Sequence, residues 1–454
     1  MKNNQHIELL KLNPLQTIAF GFMAIILLGG LLLSLPVSSR SGEATSFIDA
    51  VFTATSATCV TGLTTLTTSE HWSGFGQLII MILIEVGGLG FMVMPILFFT
   101  VFRKKVGLRT RILLQEALNM EAMSGVMKLM LHILRLAAFI QVAGAGLLAI
   151  DFVPAYGLKR GLWYAVFHSV SAFCNAGFDL FGDSLVGFQS NPYVLLVISG
   201  LIIAGGVGFF VWYDLIEFPK RKQLTLHSKI ALSMTVFLLV GGTLFFYFSE
   251  HNASELVANS TPFERFANTI FMAVTPRTAG YFSINYLHMS QAGIFMTIIL
   301  MFIGGTSGST AGGLKTTTLA VLVIQTVSML KGRERAEISG RTIRPAIVFK
   351  ALTLFFITLS LCITAIIILS MTEVIPETSG IEFIAFEVVS AFATVGLTMG
   401  LTPELTLFGK VIIILLMYVG RVGILTVGFS LTMRGAKAKE RGQYKYPEES
   451  IYIG

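Results

Sequence analysis

Charge is what this chain has least of. Asp, Glu, Lys and Arg make up only 13% of its 454 residues, against 54% hydrophobic. Soluble domains carry about a quarter charged residues. A soluble globular chain is therefore excluded, and an all-α polytopic membrane protein is indicated. Cysteine is also scarce, and Cys59, Cys174 and Cys362 make no disulfide framework. No group of carboxylates, histidines or cysteines has catalytic spacing, which argues against an enzyme. The net charge of +7 needs no nucleic acid to explain it, because most of the basic residues follow a membrane topology.

Seven apolar runs are long enough to span a bilayer, at about 15–35, 75–102, 129–153, 193–218, 230–248, 347–371 and 407–433. An eighth, 292–330, is too long for one span and too polar in its middle. The first run is read as a retained span rather than a signal peptide: it exceeds a signal core, and no small-x-small site follows. Of 32 Lys and Arg residues, 23 fall in the two termini and three of the connecting loops. That side is expected to be cytoplasmic, with both termini inside.

A short pattern occurs four times, at 52–62, 167–177, 271–280 and 386–396, each opening on phenylalanine and closing on glycine. The glycines, Gly62, Gly177, Gly280 and Gly396, lie 115, 103 and 116 residues apart. Three copies share Ser-Ala at one register: Ser56-Ala57, Ser171-Ala172 and Ser390-Ala391. A period of this size holds two spans and a shorter third element. The predicted architecture is four tandem repeats of helix, re-entrant half-helix, glycine turn and helix around a central pore. The half-helices are expected at 47–57, 162–173, 263–274 and 383–392. The boundaries are 1–11 for a cytoplasmic N-terminus, then 12–104, 105–222 (with a preceding cytoplasmic linker), 223–335 and 336–434 for the repeats, and 435–454 for a cytoplasmic tail. A second marker recurs in the inner helices, whose first glycines (Gly87, Gly205, Gly304, Gly420) follow the loop glycines by 25, 28, 24 and 24 residues. Small-residue helix packing accounts for part of it.

Carbonyl oxygens replace a cation's hydration shell without adding formal charge, and glycine permits the backbone angles that aim them. Four half-helix C-termini would add partial negative charge. The expected ligands for K+ are the backbone oxygens of Val60, Thr61 and Gly62, of Asn175, Ala176 and Gly177, of Thr278, Ala279 and Gly280, and of Thr394, Val395 and Gly396. Arg277 sits three residues before its glycine and is expected to turn behind the filter toward a carboxylate, Glu387 or Asp179. Cys59 and Cys174 also stand three before their glycines. A bridge between them is conceivable; small side chains packed behind a turn are the plainer reading. Glu85 is read equally as a core hydrogen-bonding group or a pore residue.

The third inner helix carries ten residues without a large apolar side chain: Gly304, Gly305, Thr306, Ser307, Gly308, Ser309, Thr310, Ala311, Gly312 and Gly313, with Lys315 following. Such a stretch should break the helix into a loop lining a watery path. Residues 308–316 nearly fit a phosphate-binding G-x-x-x-x-G-K-[ST] loop, but an extra leucine breaks the spacing and no strand precedes it. Arg421 interrupts the fourth inner helix, and an arginine within a span is usually paired or functional. The stretch 103–128 is amphipathic and suits a partner or the membrane surface. The tail that ends in 447–454 carries aromatics beyond its last charge run, suited to a dimer interface.

The four repeats with single filter glycines, the run Thr275, Pro276, Arg277, Thr278, Ala279, Gly280, and the run Thr394, Val395, Gly396, Leu397, Thr398 together resemble the Trk/Ktr/HKT potassium-transporter superfamily. The resemblance spans about 12–454 and is greatest to the Ktr membrane subunit (KtrB/KtrD type). It implies potassium uptake, with Na+ as a modulator in many members and no cofactor on this chain. It also implies a homodimer in membrane lipid with one pore per chain, and a cytosolic nucleotide-binding regulatory ring (KtrA/KtrC type). On this resemblance 304–313 is an intramembrane gating loop and Arg421 a barrier to cations beside it. An alternating-access cation symporter is the competing reading. It is disfavoured because such folds use inverted repeats, whereas these repeats all run the same way.

Overall fold

The computed structural model describes residues 14–90, 126–251, 261–376, 380–424, 426, 427 and 449. The stretch 103–125 and the tail 447–454, Glu449 apart, therefore lie outside the described residues.

Four outer helices carry the membrane-length spans: Pro14–Leu33, Val126–Tyr156, Leu226–Ser249 and Pro345–Thr372. The shortest has 20 residues, about 30 Å at 1.5 Å per residue, which matches the hydrocarbon core. Their outward faces leave Leu28, Phe139, Phe237 and Phe356 exposed. That exposure costs nothing in lipid, where apolar surface gains little by packing on protein.

The half-helices are Phe47–Cys59, Leu158–Cys174, Pro262–Val274 and Ile381–Ala393. They start at or before the expected positions and, apart from the third, run one or two residues further. Each is exposed where it begins and buried where it ends, so its C-terminal end lies inside the bundle.

The inner helices are shorter than their apolar runs. They are Gly74–Leu89, Pro192–Gly206, Gln291–Ile303 and Leu407–Val422. The run 193–218, read from sequence as one span, is broken: Phe209–Arg221 leaves Pro192–Gly206 at 92°. Gly208, at φ 104° and ψ 138°, makes the corner in a conformation closed to L-residues. Gly90 (φ 83°, ψ 131°) and Gly423 (φ 94°, ψ 131°) end the first and fourth inner helices in the same way. The eighth run divides as its polar centre requires, into Gln291–Ile303, a non-helical stretch, and Thr316–Leu330.

Each inner helix is capped by a side chain that accepts from a backbone N–H three residues on. The pairs are Ser73 with Gly76, Asn191 with Val194, Ser290 with Gly293, and Thr406 with Gly409. In three repeats a carboxylate from the preceding outer helix or its end clasps that cap. Asp151 accepts from the Asn191 amide at 2.9 Å. Glu250 accepts from Ser290 N–H at 3.1 Å and its hydroxyl at 2.5 Å. Glu373 accepts from Thr406 N–H at 2.9 Å and its hydroxyl at 2.7 Å. An added Cβ at Gly293 or Gly409 would collide with that carboxylate. The first repeat uses backbone instead, with Ser73 donating to Val37 O and Ser38 O.

The ring of repeats closes from the fourth to the first. Lys410 pairs with Asp49 at 2.7 Å, and the Tyr418 hydroxyl donates to Ala19 O at 2.7 Å. At the opposite end, Glu337–Ile338 and Arg341–Thr342 form a hairpin through Ser339 and Gly340, both at positive φ.

Replacing Glu373 by alanine removes two charge-assisted bonds from a buried cap. The expected loss is about 1.5–3 kcal/mol, read as a lower unfolding temperature in detergent, with Glu373→Gln intermediate.

Candidate functional site

The half-helices end in a shared way. Val60 (φ 59°, ψ 52°), Asn175 (φ 60°, ψ 46°) and Thr394 (φ 52°, ψ 50°) are left-handed C-caps. Left-handed backbone is disfavoured for side-chain-bearing residues, most of all for β-branched Val and Thr. It is held by the next residue's N–H reaching back to the last turn. Thr61 donates to Ser56 O, Ala176 to Ser171 O and Val395 to Ser390 O, each at 2.8 Å. The third copy, one residue shorter, continues helically through Thr275; Ala279 donates to Thr275 O at 2.9 Å, and Thr278 is left-handed at φ 74°.

The glycines that follow meet in a closed cycle. A Cβ built on Gly62 would lie under 3.0 Å from Ala176 O, one on Gly177 from Ala279 O, one on Gly280 from Val395 O, and one on Gly396 from Thr61 O. Each glycine thus faces the carbonyl just before the next copy's glycine, and the fourth returns to the first. All twelve residues expected to supply oxygens are brought together, and all but Gly62 are buried. The shared serine register now has a physical reason. Ser56 and Ser390 accept from Gly62 N–H (3.0 Å) and Gly396 N–H (3.1 Å), while Ser171 donates to Phe178 O at 2.9 Å. Thr275 donates to Tyr281 O and fills the same place in the copy that lacks Ser-Ala.

The inner-helix glycines lie directly under these turns. A Cβ on Gly87 would strike Thr58 O, one on Gly205 Phe173 O, and one on Gly420 Phe392 O. In each case the carbonyl belongs to the residue four before the loop glycine. Gly304 departs from the pattern: its neighbours are Gly312 O and Leu314 O, within its own loop.

That loop, 304–315, is non-helical throughout and docks on the other repeats. Thr306 N–H donates to Gly206 O at 3.1 Å, Thr310 N–H to Gly205 O at 3.3 Å, and Phe209 N–H to Gly308 O at 2.8 Å. The bend in the second inner helix is therefore what exposes partners for the loop, a role that sequence reasoning missed. Gly312 and Gly313 abut Ala393 and Thr394 beneath the fourth turn. The Arg421 guanidinium donates to Thr310 O in the loop, to Gly87 O at 2.5 Å and to Gly88 O at 3.0 Å. Lys315 Nζ donates to Ala311 O at 2.5 Å.

Arg277 requires a correction. It turns away from the ring, as expected, but meets no carboxylate among the described residues. Its guanidinium donates to the Thr235 hydroxyl on the third outer helix at 3.3 Å. Glu387 is engaged by the hydroxyls of Thr398 and Thr402, and Asp179 by the N–H groups of Phe181 and Gly182. Neither is available. Glu85 is half-buried and accepts from Gln141 at 2.8 Å and from the Cys174 thiol at 3.4 Å. All three cysteines are free and buried; Cys174 packs against Gly88. On the outer rim, burial lowers the pKa of His71, opposed by the charge of Asp49.

Membrane-length helices around a central ring of backbone turns define a predominantly helical, multi-pass membrane protein. The chain belongs to the TrkH cation transport protein family, which it matches over residues 16–437. It is 62% identical to the potassium/sodium uptake protein NtpJ of Enterococcus hirae over 98% of both chains. It is 40% identical to the Ktr system potassium uptake protein B of Bacillus subtilis over the whole of both. The crystal structure of the potassium transporter TrkH from Vibrio parahaemolyticus shares the fold, with TM-score 0.73 and 18% identity over 95% of this chain and 87% of that one.

Replacing Ser390 by alanine leaves the buried Gly396 N–H without its acceptor. A loss of about 1–3 kcal/mol follows, seen as a lower unfolding temperature that Ser390→Thr largely restores.

Proposed function

We propose that this chain takes up potassium across the cell membrane, with the four-turn ring as its selectivity filter and the 304–313 loop as its gate. The observation that carries this reading is the closed cycle of glycines and carbonyls. It presents main-chain oxygens from four sides to one axis, which is how a cation's hydration shell is replaced. The four half-helices end at that axis, so their C-terminal dipoles favour a cation. The names of the relatives, potassium/sodium uptake and Ktr potassium uptake, support K+ as the transported ion, and the first brings Na+ into the reading, here as a modulator. Both termini are read as cytoplasmic, from the placement of the basic residues.

In the described arrangement the loop lies under the ring, with the positive charges of Lys315 and Arg421 beside it. Arg421 holds the loop to the first inner helix and opposes a cation descending the axis. Opening requires the loop to leave Gly205, Gly206 and Arg421 together. The family relationship supports a homodimer whose opening is driven by a cytosolic nucleotide-binding regulatory ring of the KtrA/KtrC type. An alternating-access symporter would need a binding site that opens to each side in turn. The closed ring, built by all four repeats, favours a fixed filter over such a rocking site.

Flux of K+ and Na+ into liposomes tests the filter. Gly280→Ser should cut K+ flux at least about tenfold, which corresponds to about 1.4 kcal/mol; unchanged flux and ion preference in a folded variant would refute the assignment. The gate is probed separately. Arg421→Gln, or removal of three residues from 306–311, should raise K+ leak several-fold without the regulatory partner, and no rise would count against a gate.

A further inference from the structure

The face from which the half-helices enter carries few basic side chains. Lys410 there is neutralised by Asp49. Arg40 and Arg160 are different: neither pairs with a carboxylate among the described residues, and both line one groove of about 440 Å³ between the first and second repeats. The groove is built rather than incidental. Arg40 is fixed by its own N–H donating to His71 O at 2.9 Å and by Nε donating to Trp72 O at 3.3 Å. Arg160 Nε donates to the Tyr164 hydroxyl at 2.9 Å, and the guanidinium lies 5.2 Å from that ring's centre. In both, Nε is held by the protein while the Nη donors have no hydrogen-bond partner among the described residues. The wall between them is satisfied internally, with Trp163 donating to Gln77 Oε1 at 2.9 Å and Gln77 to Trp72 O at 3.1 Å.

One apolar track runs from this groove along a helix that forms it. Leu78, which lines the groove, and Ile82 on the first inner helix are exposed four residues apart, so they lie on one helix face. Tryptophan and tyrosine at the polar end of such a face mark headgroup depth.

We infer that this groove binds the phosphodiester headgroup of an anionic phospholipid between Arg40 and Arg160, with an acyl chain along the apolar track of Leu78 and Ile82. Paired guanidiniums suit phosphate oxygens, which accept forked N–H donors. A zwitterionic lipid offers the same phosphate but brings an ammonium beside two arginines. A free phosphate offers the charge and has nothing to lay on the track.

The test is lipid binding by the intact chain in detergent, titrated with phosphatidylglycerol or phosphatidylcholine and read by native mass spectrometry. Phosphatidylglycerol should bind about 25-fold more tightly, since each of the two arginines contributes about a factor of five toward an anionic headgroup. Arg40→Gln with Arg160→Gln should erase the difference. Gly74→Phe keeps both arginines and fills the groove, where an added Cβ meets nothing within 4 Å; it should weaken both lipids. The inference is overturned if the preference survives in the double variant, if inorganic phosphate displaces phosphatidylglycerol at equal concentration, or if the folded Gly74→Phe protein binds as the parent does.

Discussion

Backbone that stops being helical inside a membrane must find partners for its N–H and C=O groups without help from lipid. The rest of this structure follows from how that is met. At the four turns most N–H groups are consumed locally, by last-turn carbonyls and by the hydroxyls of Ser56 and Ser390. The carbonyls of Thr61, Ala176, Ala279 and Val395 instead point across the cycle toward the neighbouring copy's glycine. Donors are largely spent there, while these four carbonyls accept no hydrogen bond from another described residue.

Glycine appears in two places for one reason, close approach to a carbonyl. At the ring it lets four chains converge; at Gly87, Gly205 and Gly420 it lets an inner helix press on the end of a half-helix. Side chains between these positions are free to differ, and they do: Val60, Asn175, Thr278 and Thr394 all occupy the left-handed position.

Much of this was legible because it repeats. Four copies at a near-fixed period exposed the half-helices to within about four residues, and the polar centre of 292–330 announced the loop. What stayed hidden depends on pairing between distant segments. The carboxylate clasps of Asp151, Glu250 and Glu373 join residues 33 to 40 apart in sequence, although a carboxylate near an outer helix end with a Ser, Thr or Asn cap to follow was a usable signal. The Lys410–Asp49 pair spans 361 positions and offered none. Arg277 was misassigned to a carboxylate because charge was weighed without geometry. The nearby acids were already satisfied by hydroxyls and backbone, and Arg277 found a threonine hydroxyl on the outer helix instead.

The third repeat shows what replacing an inner-helix end by a loop requires. In the other three, the half-helix end is braced from below by its own inner helix at Gly87, Gly205 or Gly420. Gly304 faces its own loop, so the third turn lacks that brace. Its turn is also the one shortened by a residue and closed helically, with Ala279 bonded to Thr275. It is further held outward by Arg277 on Thr235. Releasing one inner helix to form a loop removes support from one quarter of the ring. The shorter turn and the arginine anchored to the outer helix supply that support from the other side, so the ring stays closed where the loop replaces the helix.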